Sequence, residues 1–530
     1  MAQIRHHQRG LTMGHFLALA ALFCFAPSVF AADAATNYQQ HCVACHGAGR
    51  LGGIGPALLP ENLERLRKAD AVKVIGEGRP ATQMMGFGAS LAQEEIAALA
   101  EWIYQPVIPR PQWQEAEIRA SRVEHFAAQT LGDKPVFTAD PLNLFIVVES
   151  GDHHVSILDG DRLERIHRFP SRYALHGGPK FTPDGRYVFF ASRDGWVSRF
   201  DLYNLKVTHE VRAGLNTRNV AVSGDGRYVM VANYLPHSLV VLNARDLSFV
   251  KLIETWDEKH TRTSRVSAVY DAAPRKSFIA AMKDIKELWE ISYDDQAEPI
   301  ASGLVHDYKM KEGSFVPGKL NPRRTLLDDY LDDFFFDQDY QMVIGASRPE
   351  EGSNRGQVIF LGGRKKIADI DLPGMPHLGS GITWQYQGRT VMASPNLKEG
   401  LVSVIDMQTW KKIADIKTLG PGFFMRSHEK SKYAWVDSMM SRENRDTLQV
   451  IDKETLEIVA RLKPEPGKTL AHIEFTRDGR YALASLWEMD GALIVYDAQT
   501  LKEVKRIPAS KPVGKYNVWN KISRDAGTSH

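Results

Sequence analysis

The sequence predicts a small all-α domain joined to an all-β eight-bladed propeller. Two observations carry this. A Cys-x-x-Cys-His motif near the start is followed by helical patterning, and the remaining roughly 400 residues repeat a strand–turn–strand unit. Composition agrees: of 530 residues, 43% are hydrophobic and 25% charged, with 41 Gly and 26 Pro. These proportions exclude disorder, collagen, a coiled coil and a polytopic membrane protein. Net charge is +2, from 66 basic and 64 acidic residues. That balance gives no reason to expect a nucleic-acid partner.

The first element is a secretory signal. Arg5 and Arg9 precede the apolar run Phe16 to Ala26, which is too short to span a bilayer, and Val29-Phe30-Ala31 offers compact residues for cleavage. Removal of residues 1–31 takes two arginines and Cys24, leaving a formally neutral chain with two cysteines. The expected location is the periplasm, with no membrane span. Cysteines there ordinarily pair as disulfides.

The second element, expected over 32–107, begins with Cys42-Val43-Ala44-Cys45-His46. Two thiols at this spacing can add across haem vinyl groups, and the adjacent histidine can ligate iron from the same turn. A redox Cys-x-x-Cys does not need that histidine, and a structural zinc site needs two further ligands. One covalent haem c is therefore expected. Gly55-Pro56-Ala57-Leu58 resembles the class I cytochrome c segment whose proline carbonyl orients the ligating histidine. Met84-Met85-Gly86-Phe87-Gly88 resembles the methionine-ligand loop. Met84 holds the usual ligand position and Met85 stands where that family has proline, so the two are alternatives; both could instead be core methionines. Ser90 with Gln93 reads as a capping box for a helix burying Ile96, Leu99, Trp102 and Ile103. Pro106, Pro109 and Pro111 open a linker over 108–133.

The third element is the propeller, expected over 134–530. Tyr187, Tyr228 and Tyr481 each begin a strand directly after an Asp-Gly-Arg turn, at Asp184, Asp225 and Asp478. Weaker copies begin near Phe145, Phe278, Met342, Thr390 and Tyr433. Short strands with tight turns at roughly 40- to 65-residue intervals are the pattern of a β-propeller. The direct count is eight blades; three copies are faint, and seven or nine are the alternatives.

In each blade the innermost strand runs down to the Asp-Gly turn and the next strand returns. Residues before the first and after the second therefore share one face near the axis. The former are His176, Arg218, Arg265, Asp332, His377, Phe423 and His472. The latter are Arg193, Tyr234, Lys283, Arg348 and Trp487. So many cations at one mouth suit a ligand with several carboxylates. His125, His153, His154, His237 and His428 read as surface or structural residues.

A c-type haem domain joined to such a propeller resembles the cytochrome cd1 family over nearly the whole chain beyond the signal. Tyr173-Ala-Leu-His176, followed by Ser192-Arg193-Asp194-Gly195, is similar to its proximal-histidine segment. Pro376-His377-Leu378-Gly379 is similar to one distal-histidine segment, and Gly514-Lys515-Tyr516-Asn517-Val518 also matches. The resemblance implies that His176 ligates the iron of haem d1 or its dihydro precursor. It also implies that Arg193, Arg218 and Arg265 hold the macrocycle's carboxylates.

One departure decides between branches. Nitrite reductases of the family carry a second distal histidine where this chain reads Leu331-Asp332-Asp333-Phe334-Phe335, and His472 stands where they lack one. The pattern resembles instead the biosynthetic branch, which desaturates a propionate of dihydro-haem d1 to the acrylate. His377 or His472 is then the base, and a core histidine without chemistry is the alternative at His472. Electrons would pass to haem c and on to an external acceptor. The product would pass in transient contact to a nitrite reductase. A nitrite reductase with altered distal groups and a non-catalytic haem d1 carrier are the competing readings. About Val305 to Asp339 reads as an acidic insertion ending in Phe334, Phe335 and Phe336, either a lid or docking surface at the mouth or a solvated loop with a buried aromatic end.

Overall fold

The computed structural model describes residues 33–523 except 54, 65, 80–83, 128–129, 303–313 and 349–354. The expected signal, with Arg5, Arg9 and Cys24, lies outside the described residues. Helices Ala34–His41, Val43–His46, Pro60–Leu63, Lys68–Glu77 and Gln93–Ile103 form the N-terminal unit. Its core gathers Tyr38, Leu63, Ala71, Ile75, Ile96, Leu99 and Ile103, with Trp102 packed alongside. The last helix does not use Ser90 as its cap. It starts at Gln93, the Ala92 amide donates to the Glu95 carboxylate at 2.9 Å, and the Ser90 hydroxyl turns back to the Phe87 carbonyl. At its C-terminus the Arg50 guanidinium donates to the Trp102, Ile103 and Gln105 carbonyls, a cation placed against the negative end of the helix.

Eight antiparallel blades follow. Numbered along the chain, their innermost strands are Lys180–Phe181, Asn216–Val222, Val266–Ala272, Tyr330–Phe336, Ile382–Tyr386, Met425–Ser427, Leu470–Phe475 and Pro512–Asn517. The eight sequence anchors all begin or lie at the start of the second strands. The three clearest turns are built alike. Thr182, Ser223 and Thr476 each donate a hydroxyl hydrogen to the turn aspartate and accept the amide of the following tyrosine at 2.9–3.1 Å. Gly185, Gly226 and Gly479 supply the required positive φ of 75°, 71° and 74°.

Ring closure pairs Pro512–Asn517 with Leu144–Glu149, so the eighth blade takes its inner strand from the C-terminal end and the rest from the start of the propeller. Apolar side chains fill every gap between neighbouring blades. One such cluster joins Met230 and Val241 of blade 2 to Phe278 and Trp289 of blade 3, and another joins Phe145 and Val147 of blade 8 to Leu483 and Val495 of blade 7. The 108–133 segment is no open tether. Helix Glu115–Ala120 buries Ile118 against blades 1 and 2, and Val123–Glu124 adds a fifth strand to blade 1.

The insertion expectation is corrected. Tyr330–Phe336 is the innermost strand of blade 4, with Phe334, Phe335 and Phe336 in its core, and Pro322–Leu326 is the outer strand of blade 3. The extra element is the hairpin of Ile300–Ser302 with Ser314–Val316. Neighbouring Asp295 pairs with Arg227 of an Asp-Gly-Arg turn at 2.9 Å, which puts this hairpin on the turn face, away from the mouth. The chain's aromatic run misled because strand 4 of one blade and strand 1 of the next lie back to back in sequence.

Candidate functional site

In the N-terminal unit, His46 is buried and its Nδ1 lies 2.8 Å from the Pro56 carbonyl oxygen. A carbonyl only accepts, so Nδ1 carries the hydrogen and Nε2 keeps a lone pair for a metal. Burial also pushes the His46 pKa down, favouring the neutral ligand form. Cys42 and Cys45 are not paired as a disulfide, and burial, with the nearby Cys45, pushes the Cys42 thiol up to about 11. A redox Cys-x-x-Cys needs the opposite shift. Met84 packs with Cys42, Val43 and Phe87 against the core, whereas Met85 is 69% exposed. These residues fit a covalently attached haem.

The propeller mouth has two sides. On blades 1 and 2, His176 Nδ1 is 2.7 Å from the Arg218 carbonyl oxygen, which again leaves Nε2 as the lone-pair nitrogen. Arg193 Nη2 donates to that Nε2 at 2.7 Å, and the Arg218 guanidinium reaches the same ring at 3.1 Å. Two guanidinium groups beside one imidazole form a site with a ligand position and two carboxylate positions. Arg265 is placed differently. It is bidentate to Asp284 at 2.9 and 2.8 Å and lies 3.6 Å from Glu64 of the helical unit. Lys283 pairs with Asp332 at 3.2 Å. The side chain of Arg348 lies outside the described residues.

Across the axis, His377 on blade 5 repeats the His176 arrangement, with Nδ1 2.7 Å from the Phe423 carbonyl oxygen. Its Nε2 lies 3.9 Å from Asp333, whose other oxygen accepts from the Tyr270 hydroxyl at 3.0 Å. Burial lowers the His377 pKa, only partly opposed by the Asp333 charge. A run of ring contacts, tilted and finally edge-on, leads from His377 to Phe423 (4.2 Å), Phe424 (4.6 Å), His472 (4.6 Å) and Tyr516 (5.1 Å). His472 is 4% exposed, and burial with the Lys515 and Arg426 charges pushes its pKa well below the usual value. It occupies a β-bulge in its strand with φ 50°, an arrangement that re-aims a side chain out of strand alternation.

Sequence reasoning missed Lys515, Tyr516 as a neighbour of His472, Arg426 and Asp437. Lys515 is fully buried and donates to the His472 carbonyl and the Ser485 hydroxyl. Arg426 pairs with Glu474 at 3.3 Å, both buried. Lys515, Tyr516 and Arg426 sit within inner strands, and Asp437 is the last residue of a second strand, so none lies in the segments beyond the strand ends used to find the mouth. Charged residues inside otherwise apolar inner strands were the available signal. Trp487 lies near Lys511, whose Nζ is 5.6 Å from its ring, and Tyr234 lies between Arg265 and Lys283 at the rim.

The helical unit docks on this same face. The segment that contains Pro56 and helix Pro60–Leu63 accepts from Arg212 at Leu51 (2.6 Å) and from Asn216 at Glu61 (3.0 Å), and Asn62 donates to Leu215 at 2.8 Å. Ala57 and Leu59 pack with Leu215 and Leu235 beneath these bonds. The loop that orients His46 therefore rests beside the blades that carry His176, Arg193 and Arg218.

A covalent-haem domain docked over the mouth of an eight-bladed propeller defines the class. Residues 139–521 match the cytochrome D1 heme domain, residues 30–103 match the cytochrome C oxidase, cbb3-type, subunit III family, and the chain belongs to the cytochrome D1 heme domain family. It is 57% identical over 493 residues to the dihydro-heme d1 dehydrogenase of Pseudomonas aeruginosa, covering 93% of this chain and 95% of that one. The solved structure of dihydro-heme d1 dehydrogenase NirN in complex with DHE is similar at a TM-score of 0.86 and 57% identity, over 93% of this chain and 100% of that chain. The nitrite reductase of Stutzerimonas stutzeri is 25% identical over 574 residues, covering 97% and 98%. No described helix is long and apolar enough to cross a membrane.

Proposed function

We propose that this protein is an oxidoreductase of haem d1 biosynthesis that desaturates one propionate of dihydro-haem d1 to the acrylate. Its family, and its likeness along nearly the full length to a dehydrogenase of that name, support the reading. Within the chain, one observation carries it: two largely buried neutral histidines, His377 and His472, are joined by a run of tilted ring contacts across the mouth from His176.

Converting –CH2–CH2– to –CH=CH– releases two protons and two electrons. His176 Nε2 ligates the substrate's iron while Arg193 and Arg218, with Arg265 at the rim, hold its carboxylates. This requires Arg193 to leave Nε2 for a carboxylate oxygen. The lowered pKa values keep His377 and His472 neutral at pH 7, so either begins the reaction as a proton acceptor. Held by Cys42, Cys45, His46 and Met84, haem c supplies one-electron acceptance beside the mouth. A transient external acceptor takes electrons onward, and the product passes to a nitrite reductase apoprotein. The N-terminal signal pattern supports the periplasm as the location of these events. The nitrite-reducing alternative is disfavoured because the expected second distal histidine is Asp332, committed to Lys283.

Replacing His377 and His472 separately by alanine tests the assignment. At least one variant should bind dihydro-haem d1 normally and lose turnover by on the order of a hundredfold or more. Unchanged turnover in both removes the base role from these residues.

A further inference from the structure

We infer that Asp437 is the positioning residue for both candidate bases; the inference rests on the assignment of His377 and His472 above. Asp437 ends the second strand of blade 6, Tyr433–Asp437, and is fully buried. Its Oδ1 accepts the Phe423 amide at 2.8 Å. Its Oδ2 accepts the Phe424 amide at 3.2 Å and the His472 amide at 3.3 Å. The Phe423 carbonyl in turn accepts His377 Nδ1–H at 2.7 Å. One carboxylate thus fixes the backbone that sets the His377 tautomer and the backbone of His472 itself. It spans blades 6 and 7 and acts on a histidine of blade 5.

The repeat supplies its own comparison. Counting four residues on from each strand anchor, the other blades carry Ala191, Ala232, Met282, Ala346, Ser394, Ser485 and Glu149. Glu149 binds Arg168 at 3.0 Å, with the Ser156 hydroxyl and the Ser510 amide, and so is neutralised by a paired guanidinium. Six of those seven positions are uncharged, so the blade fold does not call for a carboxylate there. The one at Asp437 has four backbone donors instead, the Phe423, Phe424 and His472 amides around the histidines and the local Met439 amide at 3.5 Å. His472 particularly needs such a tether, since the bulge at φ 50° removes it from regular strand pairing. Burial raises Asp437 to about 6, opposed by these amide donors, a cost that the fold keeps at this position alone among the aligned sites on blades 1 to 7.

The test compares Asp437→Asn with Ser438→Ala in the full haem c-containing protein, with dihydro-haem d1 as substrate under anaerobic turnover. Ser438 is the next residue, is equally buried, and accepts only from Gln449 among the described side chains. An asparagine keeps one acceptor oxygen. Whichever way its amide is turned, the NH2 faces an N–H that it cannot bond. Asp437→Asn should lower kcat by on the order of ten- to a hundredfold, the usual result of misplacing a catalytic group by about 1 Å. KM should stay within about threefold and the absorption spectrum of the bound substrate should not change, because His176 and the arginines are untouched. Ser438→Ala should match the parent in both constants. A folded Asp437→Asn with unchanged kcat overturns the proposal, as does a kcat loss matched by loss of substrate binding. If Asp437→Asn does not fold, Asp437→Ser is read in the same way; failure of both to fold also overturns it, since the carboxylate would then be holding the blade. Unchanged turnover in both histidine variants defeats the base assignment, whereas impaired histidine variants beside a normal Asp437→Asn defeat this proposal alone.

Discussion

His46, His176 and His377 are held alike, each giving its Nδ1–H to a backbone carbonyl and presenting Nε2. Two of these carbonyls belong to residues far along the chain, Arg218 and Phe423. The sequence therefore shows that the histidines exist and face the axis, but not which nitrogen is available. The same distance explains why Asp437 and Lys515 escaped notice: they act through backbone atoms remote in sequence, Lys515 on the neighbouring blade and Asp437 on both its own and the next. The expected pH behaviour follows from burial. A base works when neutral, protonation stops it, and burial moves protonation of His377 and His472 below the ordinary 6.5. The acid limb of kcat should therefore lie below pH 6.5, measured across pH 4.5–8 in variants that keep one histidine each. A limb above pH 6.5 would show that the working base is not one of these rings.

At the scale of elements, the Asp-Gly-Arg turns were the most legible feature, because their geometry is local: a hydroxyl, a carboxylate and a left-handed glycine within six residues. The blade with the longest interval was the least legible, since an extra hairpin separates two strands of one blade and no local residue pattern marks that. The turns differ in what surrounds them. A Cβ at Gly226 would meet only a Pro183 atom at 3.4 Å, whereas one at Gly185 would lie 2.8 Å from Val518 and 3.2 Å from Leu142. Gly226→Ala should cost about 1–2 kcal/mol from φ alone. Gly185→Ala should cost more, because it adds overpacking beneath the closing strand. Thermal unfolding of the two variants checks the order, and equal losses would contradict it.

Over the whole molecule, stability comes from a closed ring of apolar interfaces between blades, with no disulfide among the described residues. The helical unit is fastened to that ring by a small patch, in which Leu59 is 1% exposed. Leu59→Ala should cost about 2–5 kcal/mol at the patch. Calorimetry should then show the helical unit melting apart from the propeller, and haem c reduction should slow. A single unchanged transition would mean that the unit is held elsewhere. This docking was not legible in the sequence, which marks the prolines between the two units but not the 51–64 segment folded back onto blades 1 to 3.

The central claim is that electrons leave a propionate in the propeller and arrive at haem c. Anaerobic mixing of the oxidised protein with dihydro-haem d1, without any added acceptor, tests it by following both absorption spectra together. Haem c should become reduced as the dihydro-haem d1 spectrum changes to that of haem d1, with completion once an acceptor is supplied. An oxidised haem c beside unchanged dihydro-haem d1, in a protein that has bound it, would show that electrons do not pass from the propionate to haem c.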